Sequence, residues 1–108
     1  MSRSYEMAIE ISGIKKEKRK QVRKAVEREW NMEVFDCDGK DAFASGQGSL
    51  CGGESEEEFS QRMARAIWQA NGGYCEVTVE AAYLDELPYE TYSFGPKDYK
   101  QMRRKERV

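Results

Sequence analysis

The sequence predicts an α+β domain in which two helices cover one face of a four-stranded antiparallel sheet. Two segments alternate apolar and polar residues, which is the pattern of half-buried strands. Two others repeat apolar residues at helical spacing, and a hairpin-type turn separates two short β-prone runs. In chain order these elements read β-α-β-β-α-β, followed by a C-terminal basic helix or tail.

The N-terminal half supplies one strand, one helix and a hairpin. Apolar residues occupy every second position of residues 5–11, which predicts the first strand. A narrow apolar stripe on a charged background predicts a helix over residues 15–30. Asp38 and Gly39 form a turn signal between two short strands, at residues 33–37 and 42–45.

The C-terminal half supplies the second helix and the last strand. Glycines within residues 46–53 predict a break in regular structure. Ser55 begins a capping-box pattern ahead of an amphipathic helix that runs to about residue 70, and Gly72 is a left-handed C-cap candidate. Alternation over residues 75–83 then predicts a second long strand.

Residues 89–94 could add a short fifth strand or form an ordered loop. The predicted organisation is a single α+β domain over residues 1–96 and a basic C-terminal helix or tail over residues 97–108. The order of elements over about residues 5–84 resembles the ferredoxin-like split β-α-β arrangement. That resemblance implies a fold and no function, because many unrelated activities share this architecture.

Composition excludes several classes of site. The chain contains no histidine, which excludes zinc fingers and His-dependent triads. Its three cysteines form no C-x-x-C pair, and we expect reduced thiols, with Cys37 and Cys75 acting as small apolar residues in strands. Cys51 precedes a predicted helix that could stabilise a thiolate, but the glutamates that follow oppose this. We assign no catalytic residue, cofactor or metal ligand.

The same composition indicates a cytoplasmic protein. No apolar run approaches the ~20 residues of a membrane span, and the N-terminal residues do not resemble a signal peptide. We therefore expect no membrane association.

The sheet surface opposite the helices is expected to be acidic. If the apolar residues of the two long strands face the helices, four carboxylates point the other way: Glu6, Glu10, Glu76 and Glu80. These strands place no outward aromatic residue there, which argues against RNA binding on the sheet. Outward glutamates are typical of a solvated face, and they would also suit a basic partner segment.

Charge is segregated along the chain. Residues 15–30 contain eight basic and three acidic residues, whereas residues 31–96 contain three basic and thirteen acidic ones. The predicted basic patch consists of residues from the first helix and the tail: Lys15, Lys16, Lys18, Arg19, Arg23, Arg103 and Arg104. It either contacts an acidic surface of a nucleic acid or protein, or forms a solvated helix surface.

A second candidate partner-binding surface is an aromatic segment in which acidic residues favour a protein partner: Tyr83, Asp85, Glu86, Tyr89 and Tyr92. Residues 49–59 and 83–92 are similar to small uncharacterised proteins of bacterial phages and mobile elements. The resemblance implies an accessory protein that acts by binding, such as an anti-CRISPR-like inhibitor whose acidic surfaces mimic nucleic acid.

Together these features favour a small non-enzymatic protein-interaction module. The alternative is a nucleic-acid-binding accessory protein that uses the basic helix and tail. The partner is expected to be a protein, nucleic acid is the alternative partner, and a homodimer is compatible with the sequence.

Overall fold

The computed structural model describes residues 3–50, 54–83 and 90–106. The strands are β1 (Arg3–Ser12), β2 (Val34–Asp38), β3 (Asp41–Leu50), β4 (Glu76–Tyr83) and β5 (Glu90–Phe94). The helices are α1 (Arg19–Glu29), α2 (Glu56–Asn71) and α3 (Pro96–Glu106), and a 3-10 turn over Lys16–Lys18 precedes α1. The α+β class is confirmed, but the predicted four-stranded sheet is wrong by one strand, because residues 90–94 pair with β4.

The five strands form one antiparallel sheet in the order β2-β3-β1-β4-β5. The central strand β1 pairs with β3 and β4, so that Met7 lies opposite Gly46 on one side and Ala81 on the other. Its alternating apolar residues are buried under α1 and α2, as the sequence predicts. The core therefore fills the space between one sheet face and the helices.

Strand β3 continues through glycines that the sequence analysis assigned to a break, so that expectation was wrong. Gly46 and Gly48 lie on the helix-covered face of β3, where the chain after α1 crosses it. A Cβ on Gly46 would stand 2.1 Å from the Asn31 carbonyl oxygen, and one on Gly48 would stand 2.8 Å from the Trp30 ring. These glycines let the segment that follows α1 pack closely against β3, and they do not end the strand.

Helix α2 begins and ends with the predicted caps. Ser55 accepts a hydrogen bond from the Glu58 backbone N–H, and the Glu58 carboxylate accepts one in return. Gly72 adopts φ 73°, the left-handed region that favours glycine. The capping box and the C-cap together fix the length of α2.

Helix α1 is shorter than the predicted span of residues 15–30. The Lys15 backbone N–H donates to Oδ1 of Asn71 at 2.8 Å, and Lys15 is extended, with ψ 133°. Asn71 is fully buried, and its amide also donates to the Gly73 carbonyl oxygen at 3.2 Å. This contact fixes Lys15 in an extended conformation outside the helix. The 3-10 turn over Lys16–Lys18 follows, and α1 begins at Arg19.

Helix α3 packs beside α2 on the helix-covered side of the sheet. The Tyr99 ring contacts the Trp68 ring edge-on at 5.2 Å, and Met102 packs against the same core. Trp68 is buried, and its Nε1 donates to the Cys75 carbonyl oxygen at 2.7 Å. Because of these contacts α3 does not lie over the opposite sheet surface.

The two described cysteines differ in exposure. Cys75 is buried, as a small apolar residue of a strand would be, whereas Cys37 is exposed. Cys37 lies on β2, which forms one edge of the sheet and pairs only with β3. Val34, Asp36 and Asp38 of this strand lie on the sheet face opposite the helices. Of its two helix-facing residues, Phe35 is half-buried and Cys37 is exposed.

Across the described ranges, no helix has both the length and the apolar character needed to cross a bilayer.

Candidate functional site

The uncovered surface of the sheet carries a dense group of carboxylates. Strand register places seven acidic side chains on it, from four of the five strands: Glu6, Glu10, Asp36, Asp38, Asp41, Glu76 and Glu80. We call this surface the acidic face. No Lys or Arg of the described strands occupies a position on it. Every ionisable side chain that the described strands place on it is therefore acidic.

The carboxylates are concentrated at the end of the sheet nearest the β2–β3 turn. A shallow concavity of about 420 Å³ is lined there mainly by residues of β1, β2, β3 and β4. Asp38 lies directly opposite Asp41 in the register, and Asp41 accepts a hydrogen bond from the Ser12 hydroxyl at 2.8 Å. Like charges opposite each other on adjacent strands destabilise a sheet. Repulsion between Asp38 and Asp41 is therefore expected to destabilise this end of the sheet.

Two exposed apolar side chains interrupt the acidic face. Phe43 on β3 is 39% exposed, and Val34 on β2 is 42% exposed. The cross-strand neighbours of Phe43 are Asp36 on β2 and Glu10 on β1. An exposed aromatic residue inside a polar surround resembles the centre of a protein interface, where aromatic residues are enriched and the rim is polar.

The four glutamates proposed from the sequence lie together on this surface. Glu6, Glu10 and Glu76 are exposed, and Glu80 is half-buried. Sequence reasoning missed Asp36, Asp38, Asp41 and Phe43. The sequence does contain a signal for them, because acidic or aromatic residues alternate with others along β2 and β3. Assigning these residues to the acidic face also required the register of the hairpin against β1.

The aromatic segment does not join the acidic face within the described residues. Tyr92 lies opposite Val79 on the helix-covered side, and its hydroxyl donates to the Glu90 carboxylate at 2.7 Å. That hydrogen bond and partial burial raise the pKa of Tyr92 above its usual value. Tyr83 belongs to β4. Asp85, Glu86 and Tyr89 lie outside the described residues.

The basic patch occupies the helix layer, on the other side of the molecule from the acidic face. Lys16 and Arg23 are exposed, whereas Lys18 and Arg19 are half-buried. The Lys15 ammonium group donates to the Gly72 carbonyl oxygen at 3.2 Å, which gives Lys15 a structural contact at the end of α2. Arg103 and Arg104 fall within α3. The described part of the basic patch therefore belongs to the helix elements, whereas the acidic face belongs to the sheet.

Among the residues the structure describes, no three acidic or thiol side chains converge in a way that could hold a metal ion. Comparison with known protein families, curated proteins and solved structures found no match to this chain.

Proposed function

We propose that this protein is a non-enzymatic interaction module that docks a basic partner protein on its acidic face. The observation that carries the proposal is the gathering of seven carboxylates and an exposed phenylalanine on one sheet surface that no described helix covers. A cationic partner would relieve the repulsion between these carboxylates. It would also be steered toward the surface by their summed field.

The same surface, and the resemblance of residues 49–59 and 83–92 to phage and mobile-element proteins, support a more specific proposal. We propose a ferredoxin-like unit, extended by β5 and α3, that acts in the cytoplasm as an accessory protein of a phage or mobile element. In that role it inhibits or modulates a host complex. An array of carboxylates on a sheet surface presents repeated negative charge, as a nucleic-acid backbone does, which would suit a target that normally binds nucleic acid.

The test is capture of partners from nuclease-treated host lysate with three forms of the protein. These are the wild type, a face variant with Glu10→Gln and Glu76→Gln, and a control variant with Glu17→Gln and Glu57→Gln. All four positions are exposed, and the two variants change net charge equally. Partners retained by the wild type and the control, and lost by the face variant, are expected. Equal retention by both variants would show that the acidic face is not the docking surface.

A second candidate function is nucleic-acid binding through α1. Lys20, Lys24 and Arg28 are exposed, and the latter two line a groove of about 370 Å³ between α1 and α2. Cations in such an arrangement suit phosphate contacts, which carry no sequence preference.

Fluorescence anisotropy with a labelled DNA duplex tests this candidate. Charge reversal at Lys20, Lys24 and Arg28 should abolish binding. In the wild type, log K should fall with log salt with a slope of about −0.9 for each phosphate contacted. Duplex binding that is unchanged in the reversed variant would exclude α1 as the contact surface.

A further inference from the structure

Phe43 has an unusual environment for an exposed aromatic residue on a strand. Its ring lies on the acidic face, with Asp36 opposite it on one side and Glu10 opposite it on the other. Directly paired residues of adjacent strands have Cβ atoms about 5 Å apart. A carboxylate therefore stands on each flank of the ring, along the line that crosses the strands.

The chain places its own arginines against phenylalanine rings elsewhere. The Arg23 guanidinium lies 5.4 Å from the centre of the Phe35 ring, and the Arg62 guanidinium lies 5.2 Å from the centre of the Phe59 ring. Both contacts are on the helix-covered side. Phe43, in contrast, has no described guanidinium over its ring, because the basic side chains of α1 and α2 lie on the other side of the sheet.

We propose that the concavity around Phe43 receives an arginine side chain from a basic segment of the partner protein. The inference rests on the proposed function and specifies its chemistry. A guanidinium can stack its flat face on the ring while its N–H groups donate to carboxylates on both flanks. The concavity is lined by Asp36, Glu10, Asp41 and Glu76 together with Phe43, which supplies both kinds of contact.

This arrangement discriminates between the two basic residue types. Lysine offers a compact, strongly hydrated ammonium group that can meet the carboxylates but cannot form the planar, two-sided contact. Charge alone would make the acidic face bind arginine and lysine peptides equally. An arginine preference that depends on Phe43 is thus the specific signature of the site.

The experiment measures the affinity of labelled tetra-arginine and tetra-lysine peptides by fluorescence anisotropy at low salt. The proteins are the wild type, Phe43→Leu, Asp36→Asn with Glu10→Gln, and Val34→Ala as a control for exposed apolar area on the same surface. Phe43→Leu keeps an apolar side chain but removes the ring. Far-UV circular dichroism and a thermal melt establish that each variant is folded.

The wild type should bind tetra-arginine about threefold more tightly than tetra-lysine, and Phe43→Leu should remove that preference. The double carboxylate variant should weaken both peptides, and Val34→Ala should leave both affinities unchanged. Equal affinities for the two peptides, with loss only in the carboxylate variant, would overturn the arginine site and leave the acidic docking face standing. If neither peptide binds, both the arginine site and the acidic docking face are overturned.

Discussion

Replacing Gly46 with alanine would put a methyl group where the chain after α1 crosses the sheet. The new Cβ would lie 2.1 Å from the Asn31 carbonyl oxygen and 2.9 Å from the Met32 Cα, and both of these are backbone atoms. Backbone cannot rotate aside as the end of a flexible side chain can, so the crossing segment must move. Overpacking of this kind costs about 1–3 kcal/mol.

Displacing this segment would also weaken a buried hydrogen bond. The Trp30 Nε1 donates to the Gly46 carbonyl oxygen at 2.9 Å in a buried hydrogen bond, and a shift of this segment would weaken it at a cost of about 1 kcal/mol. Alanine also has less conformational freedom than glycine in the unfolded chain, and this offsets about 0.4–1 kcal/mol of the destabilisation. The net expectation for Gly46→Ala is a destabilisation of about 1–3.5 kcal/mol.

Urea unfolding followed by far-UV circular dichroism measures this change against a matched control. A Cβ on Gly95 would meet no atom within 4 Å, so Gly95→Ala should destabilise the protein by no more than about 0.5 kcal/mol. The urea midpoint of Gly46→Ala should fall with an unchanged slope. Equal midpoints for the two variants would refute the close-approach explanation of why β3 contains this glycine.

Three further changes have expected outcomes. Asn71→Ala removes a buried amide that serves the Lys15 N–H and the Gly73 carbonyl, and thermal unfolding should show a loss of about 2–3 kcal/mol; an unchanged melting temperature would contradict it. Ser55→Ala removes the N-cap of α2 and should cost about 1 kcal/mol in the same assay, whereas Ser55→Asn should retain most of the stability. Burial raises the pKa of the Cys75 thiol to about 11, so the folded state holds this proton more tightly than the unfolded chain does. Wild-type stability should therefore fall as pH rises from about 9 to 11, more steeply than that of Cys75→Ala, and parallel pH profiles of the two proteins would contradict this reasoning.

Local signals in the sequence predicted the elements whose structure depends on near neighbours. The alternation of residues 5–11 predicted the buried side of β1, and Ser55 and Gly72 marked the ends of α2. These features depend on the spacing of apolar residues and on capping residues, and both can be recognised within a single short stretch of sequence. The same locality explains why two long strands and two helices were found.

Features that depend on contacts between distant segments were missed. Nothing local distinguishes a glycine that ends a strand from one that admits a crossing chain, so Gly46 was misassigned. Cys37 follows a strand pattern, but its exposure is set by its position at the sheet edge. The candidate site was half predicted for the same reason: Glu10 was placed correctly, whereas Phe43 and Asp36 required the register of the hairpin against β1.

The most direct measurement of the central claim is an NMR titration of the isotope-labelled protein with tetra-arginine peptide. The described residues form two acidic surfaces, the acidic face of the sheet and the first turn of α2, which contains Glu56, Glu57 and Glu58. If the sheet is the docking surface, the backbone amide signals of Glu10, Asp36 and Phe43 should shift in a saturable way. Shifts confined to the start of α2, or no saturable shifts, would contradict docking on the acidic face.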